Sequence, residues 1–193
     1  MKIIFATHNQ NKVKELSQLI PKKYNLLSLN DIGCVKEIEE TGSTLEENAK
    51  IKADYVRYKY GLDCFSDDSG LEVEALNGAP GVFSARYAGN QKNNDANIKK
   101  IWEKLRGQSN PKATFRSIFH VHFNNKTFSF QGKVDGNLIF EKRGLNGFGY
   151  DPIFIPNGYN QTFAELGDDV KNKISHRALA TVQFLKLLER GQF

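Results

Sequence analysis

The chain has 193 residues, of which 39% are hydrophobic and 25% are charged, which excludes disordered, collagen-like and disulfide-scaffold proteins. We expect a single domain over residues 1–193 with no separable linker. The formal net charge of +5 suits an anionic ligand but is too small for the basic stripe of a nucleic-acid binder. Cys34 and Cys64 lack metal or redox spacing, and no apolar run is long enough to span a membrane. These features predict a cytoplasmic protein with two buried free thiols and neither a nucleic acid nor a membrane as partner.

The first half of the chain alternates strand and helix patterns. Residues 2–6 predict a strand, residues 13–20 have the apolar spacing of a helix that Pro21 ends, and a short strand is expected near 24–29. Ser43 with Glu46 predicts a capping box at the start of a long helix, which Gly61 ends. A strand is then expected over 64–73, interrupted by the polar run Asp67-Asp68-Ser69-Gly70.

The second half begins with a helix over 94–105, which Gly107 closes. From Ala113 to Phe123 apolar residues alternate with polar ones, and a second strand from about 127 completes a predicted antiparallel pair. A glycine and aromatic segment over 147–156 leads to a last helix beginning near Ser175. Its predicted apolar face consists of Leu179, Val182, Leu185 and Leu188.

This order of elements predicts an α/β fold with a mixed, twisted central sheet and flanking helices. Ligands of open α/β sheets bind beyond the ends of the strands, so the loops at 7–12 and 67–69 are the places to look.

The loop after the first strand lies at a helix N-terminus, where backbone N–H groups and the helix dipole attract phosphate. Its residues are Thr7, His8, Asn9, Gln10, Asn11 and Lys12, and Lys12 can add a positive charge. The alternative is an ordinary turn with an asparagine cap and a solvated lysine.

Four acidic residues lie in predicted loops of this basic chain: Glu39, Glu40, Asp67 and Asp68. Carboxylates brought together in this way are typical ligands of Mg²⁺ bound beside substrate phosphates. The alternative places Glu39 and Glu40 as helix-start acids and Asp67-Asp68 in a turn.

Two later segments could bind a base. Phe148-Gly149-Tyr150-Asp151 combines stacking rings with a hydrogen-bond acceptor, and Ser175-His176-Arg177 opens the last helix with two basic side chains. Packed turn aromatics and an ordinary helix cap are the alternatives.

His120 and His122 lie on one face of a strand and could together bind a transition metal. No third ligand is evident nearby in the sequence, so a solvated strand face is the simpler interpretation. Neither cysteine has a histidine nearby in sequence, which gives little support to a thiol nucleophile.

Taken in order, these segments resemble the inosine triphosphate pyrophosphatase family, also called the Ham1 family. The resemblance spans nearly the whole chain. It rests on Ala6-Thr7-His8-Asn9 with Lys12, Glu39-Glu40-Thr41-Gly42 with Glu46-Glu47-Asn48-Ala49, Ser66-Asp67-Asp68-Ser69-Gly70-Leu71, Gly78-Ala79-Pro80-Gly81 through Arg86, Gly147-Phe148-Gly149-Tyr150-Asp151-Pro152, and Lys171 with Ile174-Ser175-His176-Arg177.

The resemblance implies hydrolysis of ITP, dITP and XTP to the monophosphate and pyrophosphate. It also implies a Mg²⁺ cofactor, a homodimer, and a fold related to the Maf proteins with two lobes around a nucleotide cleft. Residues Thr7 to Lys12 would hold the phosphates, Glu39 and Asp68 would bind Mg²⁺, and Asp68 would accept the proton of water. Substrate contacts would come from Ser69 and, at the base, from Phe148, Gly149, Tyr150, Asp151, Lys171, His176 and Arg177.

Several points stay open. Asp67 could replace Asp68 in handling the proton, and either Arg177 or His176 could donate to the 6-oxo group that separates hypoxanthine and xanthine from adenine. His8 stands where many members of the family have glycine; it could contact phosphate or only shape the turn. The rival functions are a Maf-like pyrophosphatase for other nucleotides and a basic nucleic-acid-binding module.

Overall fold

The computed structural model describes residues 1–189 and has a six-stranded sheet flanked by α-helices. The strands are β1 (Lys2–Phe5), β2 (Asn25–Leu27), β3 (Cys64–Val73), β4 (Lys112–Phe123), β5 (Lys126–Leu138) and β6 (Phe154–Pro156). The helices are α1 (Gln10–Leu19), α2 (Leu45–Tyr60), α3 (Asn94–Lys104), α4 (Phe163–Ile174) and α5 (His176–Glu189). Within residues 1–189 no helix is long and apolar enough to cross a membrane.

The strand order is β2-β1-β3-β4-β5-β6. β1 runs parallel to β2 and β3, whereas β6 is antiparallel to β5. β4 and β5 are joined by Asn124 and Asn125, both with positive φ (46° and 60°), which is the backbone of a two-residue hairpin turn. The mixed α/β sheet and its antiparallel pair are therefore as the sequence predicted.

The chain divides into two compact units. Unit 1 comprises residues 1–68, 117–132 and those from 177 onward, and unit 2 comprises residues 69–116 and 133–176. β3, β4 and β5 contribute residues to both units.

The core of unit 1 is aromatic. Phe5 and Phe65 are register partners on β1 and β3, and their rings stack with centroids 4.6 Å apart. Phe184 of α5 packs on Phe65 at 4.8 Å. A neighbouring cluster contains Cys34 and Cys64, which are free and buried as predicted.

The core of unit 2 contains a second aromatic group. Phe115 of β4 packs against Phe154 of β6 with ring centroids 4.7 Å apart, and Phe154 packs against Phe163 of α4 at 5.2 Å. The alternating face of β4 is buried from Ala113 to Val121, as its period of two predicted.

The start of α2 differs from the prediction by one residue. The helix cap is Thr44, whose side chain accepts from the Glu47 backbone N–H, while Glu47 reaches back to the cap. Ser43 is one step too early because its N–H and hydroxyl both donate to the same Glu47 carboxylate. Gly61 ends the helix with φ +66°, as expected.

β3 is continuous from Cys64 to Val73, so the predicted interruption and the alternative turn at Asp67-Asp68 are both wrong. A strand can contain two adjacent buried carboxylates when each has a cationic partner, and both of these do.

The end of the chain differs more. α4 was not predicted, although Thr162 and Glu165 form a capping box that the sequence displays. Ser175 ends α4, and α5 begins at His176. Leu179 and Val182, placed on the buried face by prediction, are 38% and 49% exposed. Leu188 is buried and Leu185 is partly buried, as predicted, and the rest of the buried face consists of Ala180, Thr181, Phe184 and Leu187.

Candidate active site

Unit 1 holds a group of charged side chains in its interior. They come from α1, α2, β3, α5 and the loop before α2, and we call them the buried ionic cluster: Lys12, Glu15, Glu40, Lys52, Asp67, Asp68 and Arg177. Asp67 and Asp68 are neighbours on β3, so their side chains point to opposite faces of the strand. Each therefore has its own set of partners.

Asp67 is fully buried and saturated with donors. It receives the Lys12 ammonium at 3.1 Å, the Arg177 Nε at 2.9 Å and the Ser117 hydroxyl at 2.5 Å. Burial opposes its charge, but Lys12 and Arg177 outweigh that effect and hold the pKa of Asp67 well below its usual range. A carboxylate held in this way is a poor proton acceptor.

Asp68 has a different environment. Its Oδ1 accepts from the Lys52 ammonium at 2.9 Å, while its buried Oδ2 has no hydrogen-bond partner among residues 1–189. Burial raises the pKa of Asp68, and the negative charge of Glu40 raises it further. The positive charges of Lys52 and Lys12 only partly offset these two effects. Buried polar atoms are nearly always paired, so an orphaned carboxylate oxygen indicates a site for a further ligand.

Lys52 connects Asp68 to the loop before α2. Its ammonium contacts Glu40 Oε1 at 2.5 Å as well as Asp68. Burial lowers the pKa of Lys52, but the two carboxylates outweigh it and the net direction is upward, so the side chain stays charged. Glu39 is exposed and makes no hydrogen bond or ion pair with any described residue.

Arg177 is the second residue of α5 and is almost completely buried. Its Nε is bonded to Asp67 and its Nη1 to Glu15 of α1. Burial disfavours its charge, but the two carboxylates prevail and raise the pKa of Arg177. These contacts fix the guanidinium in place.

Side chains of the 7–12 loop accept hydrogen bonds from backbone N–H groups of the same loop. Asn9 caps α1, accepting from the N–H groups of Asn11 and Lys12 at 3.0 and 3.3 Å, and Thr7 Oγ1 accepts from the Asn9 N–H at 3.1 Å. Gln10 is exposed beside them. The asparagine cap of the alternative interpretation is therefore present, but Lys12 is buried against Asp67 and is not the solvated lysine of that interpretation.

His8 lies with its ring against a neighbouring loop. Nδ1 contacts the Asn30 amide at 2.9 Å and Nε2 contacts the Lys36 carbonyl at 3.1 Å. These contacts favour the interpretation in which His8 shapes the turn.

In unit 2, Asp151 organises the glycine and aromatic segment. Its Oδ2 accepts from the Lys171 ammonium at 2.6 Å and from the Phe148 N–H at 2.8 Å. The Lys171 ammonium also lies 5.1 Å from the centre of the Phe148 ring. Gly147 has φ +78°, and a Cβ there would lie 2.2 Å from the Asp151 carboxylate, so only glycine fits.

The remaining predicted residues of unit 2 have varied settings. The Tyr150 hydroxyl donates to the Ser84 carbonyl at 2.8 Å, and the ring belongs to the core. The His176 ring stacks on Phe115 with centroids 4.8 Å apart. Gly149 has φ +64°, and Ser69 is half-buried directly after Asp68.

Comparison with known proteins identifies the family of this chain. A sequence model of the Ham1 family matches residues 3–187. The chain belongs to the Ham1 family.

Curated relatives and solved structures agree with this Ham1 assignment. The dITP/XTP pyrophosphatase of Christiangramia forsetii is 51% identical over 190 residues, 98% of this chain and all of the relative. That of Bacillus subtilis is 48% identical over 96% of each chain. The HAM1 protein of Coxiella burnetii has a TM-score of 0.90 at 38% identity over 99% of this chain and all of its own. The Staphylococcus aureus Ham1 protein has a TM-score of 0.88, also at 38% identity, over the whole of both chains.

The sequence analysis missed two members of the buried ionic cluster in this Ham1 chain, Glu15 and Lys52. Glu40 was among the four candidate metal-binding carboxylates, but its contact with Lys52 was not predicted. Lys52 did carry a signal: it lies three residues after Ala49 and four before Val56, on the buried stripe of α2. A lysine at such a position needs a buried partner. Glu15 lies on α1 among polar residues and gave no such signal.

Proposed function

We propose that this chain hydrolyses dITP, ITP and XTP to the monophosphate and pyrophosphate. The observation that supports this most is near-complete alignment at 51% identity with a dITP/XTP pyrophosphatase. The orphaned Oδ2 of Asp68 inside the buried ionic cluster supplies a reactive position consistent with that chemistry.

The charge of the cluster supports a metal requirement. Three cationic side chains, Lys12, Lys52 and Arg177, face four carboxylates, so the cluster alone would not attract a triphosphate. We propose Asp68 and Glu39 as the residues that hold Mg²⁺, because Asp68 Oδ2 and the Glu39 carboxylate accept no hydrogen bond from residues 1–189. When bound, the ion would neutralise phosphate charge and lower the pKa of a bound water.

Separate residues are proposed for proton transfer and for phosphate binding. Asp68 is proposed to take the proton from the attacking water, because both oxygens of Asp67 already accept from Lys12, Arg177 and Ser117. Residues 7–12 are proposed to hold the phosphates at the N-terminus of α1, and Ser69 is proposed to contact substrate. Positioning of this kind is most of what phosphoryl chemistry needs from a protein.

For the base we propose Phe148, Gly149, Tyr150, Asp151, Lys171, His176 and Arg177. The Phe148 ring supplies stacking area, and Asp151 fixes the segment that presents it. His176 is the better donor to a 6-oxo group, because Nε and Nη1 of Arg177 are committed to Asp67 and Glu15. Adenine presents a donor at that position, and two facing donors left without acceptors are costly.

The test is product analysis by anion chromatography with Mg²⁺, comparing ITP, dITP and XTP with ATP, GTP and CTP. Monophosphate and pyrophosphate from the first three alone are expected. Asp68→Asn should lower kcat by at least about 100-fold, whereas Asp63→Asn, a partly exposed carboxylate paired with Arg57, should not. Preferred turnover of the other nucleotides would support the Maf-like alternative. Diphosphate and orthophosphate as products would contradict the mechanism.

Two further properties belong to this proposal. A homodimer is proposed from the resemblance of the sequence to the family. A cytoplasmic location is proposed because the nucleotide pool on which such an enzyme acts is there.

A further inference from the structure

Unit 1 contains a second group of ligand-forming side chains, separate from the buried ionic cluster. Asp54 lies on α2, and His120 and His122 lie two residues apart on β4. Hydrogen bonds and ion pairs connect Asp54 only to Lys50 and His122 among the described residues, so this group shares no partner with the proposed catalytic residues. No third ligand for the two histidines was evident in the sequence, and the fold places Asp54 beside them.

The three side chains converge. One donor atom from each lies within 4.8 Å of the others. His122 Nε2 is 2.6 Å from Asp54 Oδ1, and the two imidazole rings have centroids 5.1 Å apart. Tetrahedral zinc ligands are spaced by about 3.4 Å, so small side-chain rotations would close the set.

His120 gives the independent indication of a ligand. Its Nε2 is buried and has no hydrogen-bond partner among residues 1–189. Burial lowers the pKa of His120 and the neighbouring His122 lowers it further, while the Asp54 carboxylate acts in the opposite direction. A buried imidazole nitrogen without a partner is otherwise an unexplained cost.

The surroundings of His122 also suit a metal ligand. Its Nδ1 contacts the Thr127 hydroxyl at 3.2 Å, which leaves Nε2 as the coordinating nitrogen. Ligating histidines usually have such an outer partner, which fixes the ring orientation. The Lys50 ammonium binds the other oxygen of Asp54, so one carboxylate oxygen stays directed at the histidines.

We propose that Asp54, His120 and His122 form a binding site for a divalent transition metal ion, with Zn²⁺ as the probe. Two imidazoles and one carboxylate select this class over Mg²⁺ or Ca²⁺, and solvent would complete the coordination. The ion would tie α2 to β4, the elements that contribute Lys52 and Ser117 to the contacts of Asp68 and Asp67.

The test is titration of the metal-free full chain with Zn²⁺ by calorimetry and with Co²⁺ by visible absorption. We expect one saturable site and a thermal midpoint that rises with Zn²⁺. His120→Ala should weaken binding by about tenfold or more, at least the cost of losing an outer partner. Because His120 Nε2 makes no hydrogen bond with residues 1–189, this variant should lose only ring packing and stay folded without metal, which its metal-free thermal midpoint measures.

Two controls separate this site from others. His8→Ala removes a histidine of the same unit that bonds Asn30 and Lys36, and it should leave Zn²⁺ affinity unchanged. Asp68→Asn should also keep the Zn²⁺ site, so failure of the proposed pyrophosphatase activity would not affect this result. Absence of saturable binding, or equal affinity in wild type and His120→Ala, would overturn the proposal.

Discussion

At the scale of single residues, the main feature is the number of buried charges. Asp67 and Lys52 are both enclosed, and each touches at least two groups of opposite charge. Removing one member of a buried pair leaves its partner uncompensated, which costs more than the pair itself contributes. The buried ionic cluster is therefore sensitive to single substitutions.

Asp67→Asn should lower the free energy of unfolding by about 3 kcal/mol at pH 7, because Lys12 and Arg177 lose their shared counter-charge. The folded pKa of Asp67 is depressed, so its contribution is fully present above the unfolded value of about 3.9 and is lost as pH falls below it. Urea unfolding of wild type and Asp67→Asn at several pH values, with a metal chelator in the buffer, measures this difference in the free energy of unfolding.

The matched control is Asp63→Asn. Asp63 pairs with Arg57 at a partly exposed position, and its loss should cost less than about 1 kcal/mol. A deficit in Asp67→Asn that stayed constant down to pH 2 would contradict the linkage.

Lys52→Met removes the cation between Asp68 and Glu40. The two carboxylates then repel each other, and we expect a loss of about 3 kcal/mol in metal-free buffer. Mg²⁺ should restore more stability in this variant than in wild type, because a divalent ion can replace the lost charge. Thermal midpoints with and without Mg²⁺ measure this. An equal rise in both proteins would count against Asp68 as a metal ligand.

At the scale of elements, α5 shows that packing against the core determines which face of a helix is buried. Phe184 packs on Phe65 and Phe119, while Val182 is half exposed. The spacing of aliphatic residues predicted a face that includes Val182, whereas the helix buries Phe184 against the aromatic core of unit 1.

Phe184→Ala should therefore destabilise the protein by about 3 kcal/mol, through lost burial and a cavity beside Phe65. Val182→Ser should change stability by no more than about 0.5 kcal/mol, since the side chain is half exposed. Chemical denaturation of both variants tests this. The reverse ranking would restore the face predicted from periodicity.

At the scale of the whole molecule, the proposed homodimer predicts one species of about twice 21.8 kDa in solution. Sedimentation equilibrium at micromolar concentration measures it. A clean monomer would contradict the proposed dimer and leave the proposed activity standing, because all the residues proposed for catalysis belong to one chain.

Most strand and helix positions followed from local pattern. Alternation along β4 and the glycine after α2 act within a few residues, so these elements were predictable. The predicted capping box was one residue too early, because the sequence offers both Ser43 with Glu46 and Thr44 with Glu47, and the helix uses the second pair. Local signals identify an element more reliably than its first residue.

The ordered motifs in the sequence determined the family, and with it the α/β fold and the set of residues proposed for catalysis. Tertiary structure alone decided how those residues pair. Arg177 meets Asp67 across 110 positions, and Asp54 meets His122 across 68. Such contacts leave no periodic trace in sequence, because they depend on which faces of distant elements the core brings together. For the same reason, only the folded chain distinguishes the saturated Asp67 from the available Asp68.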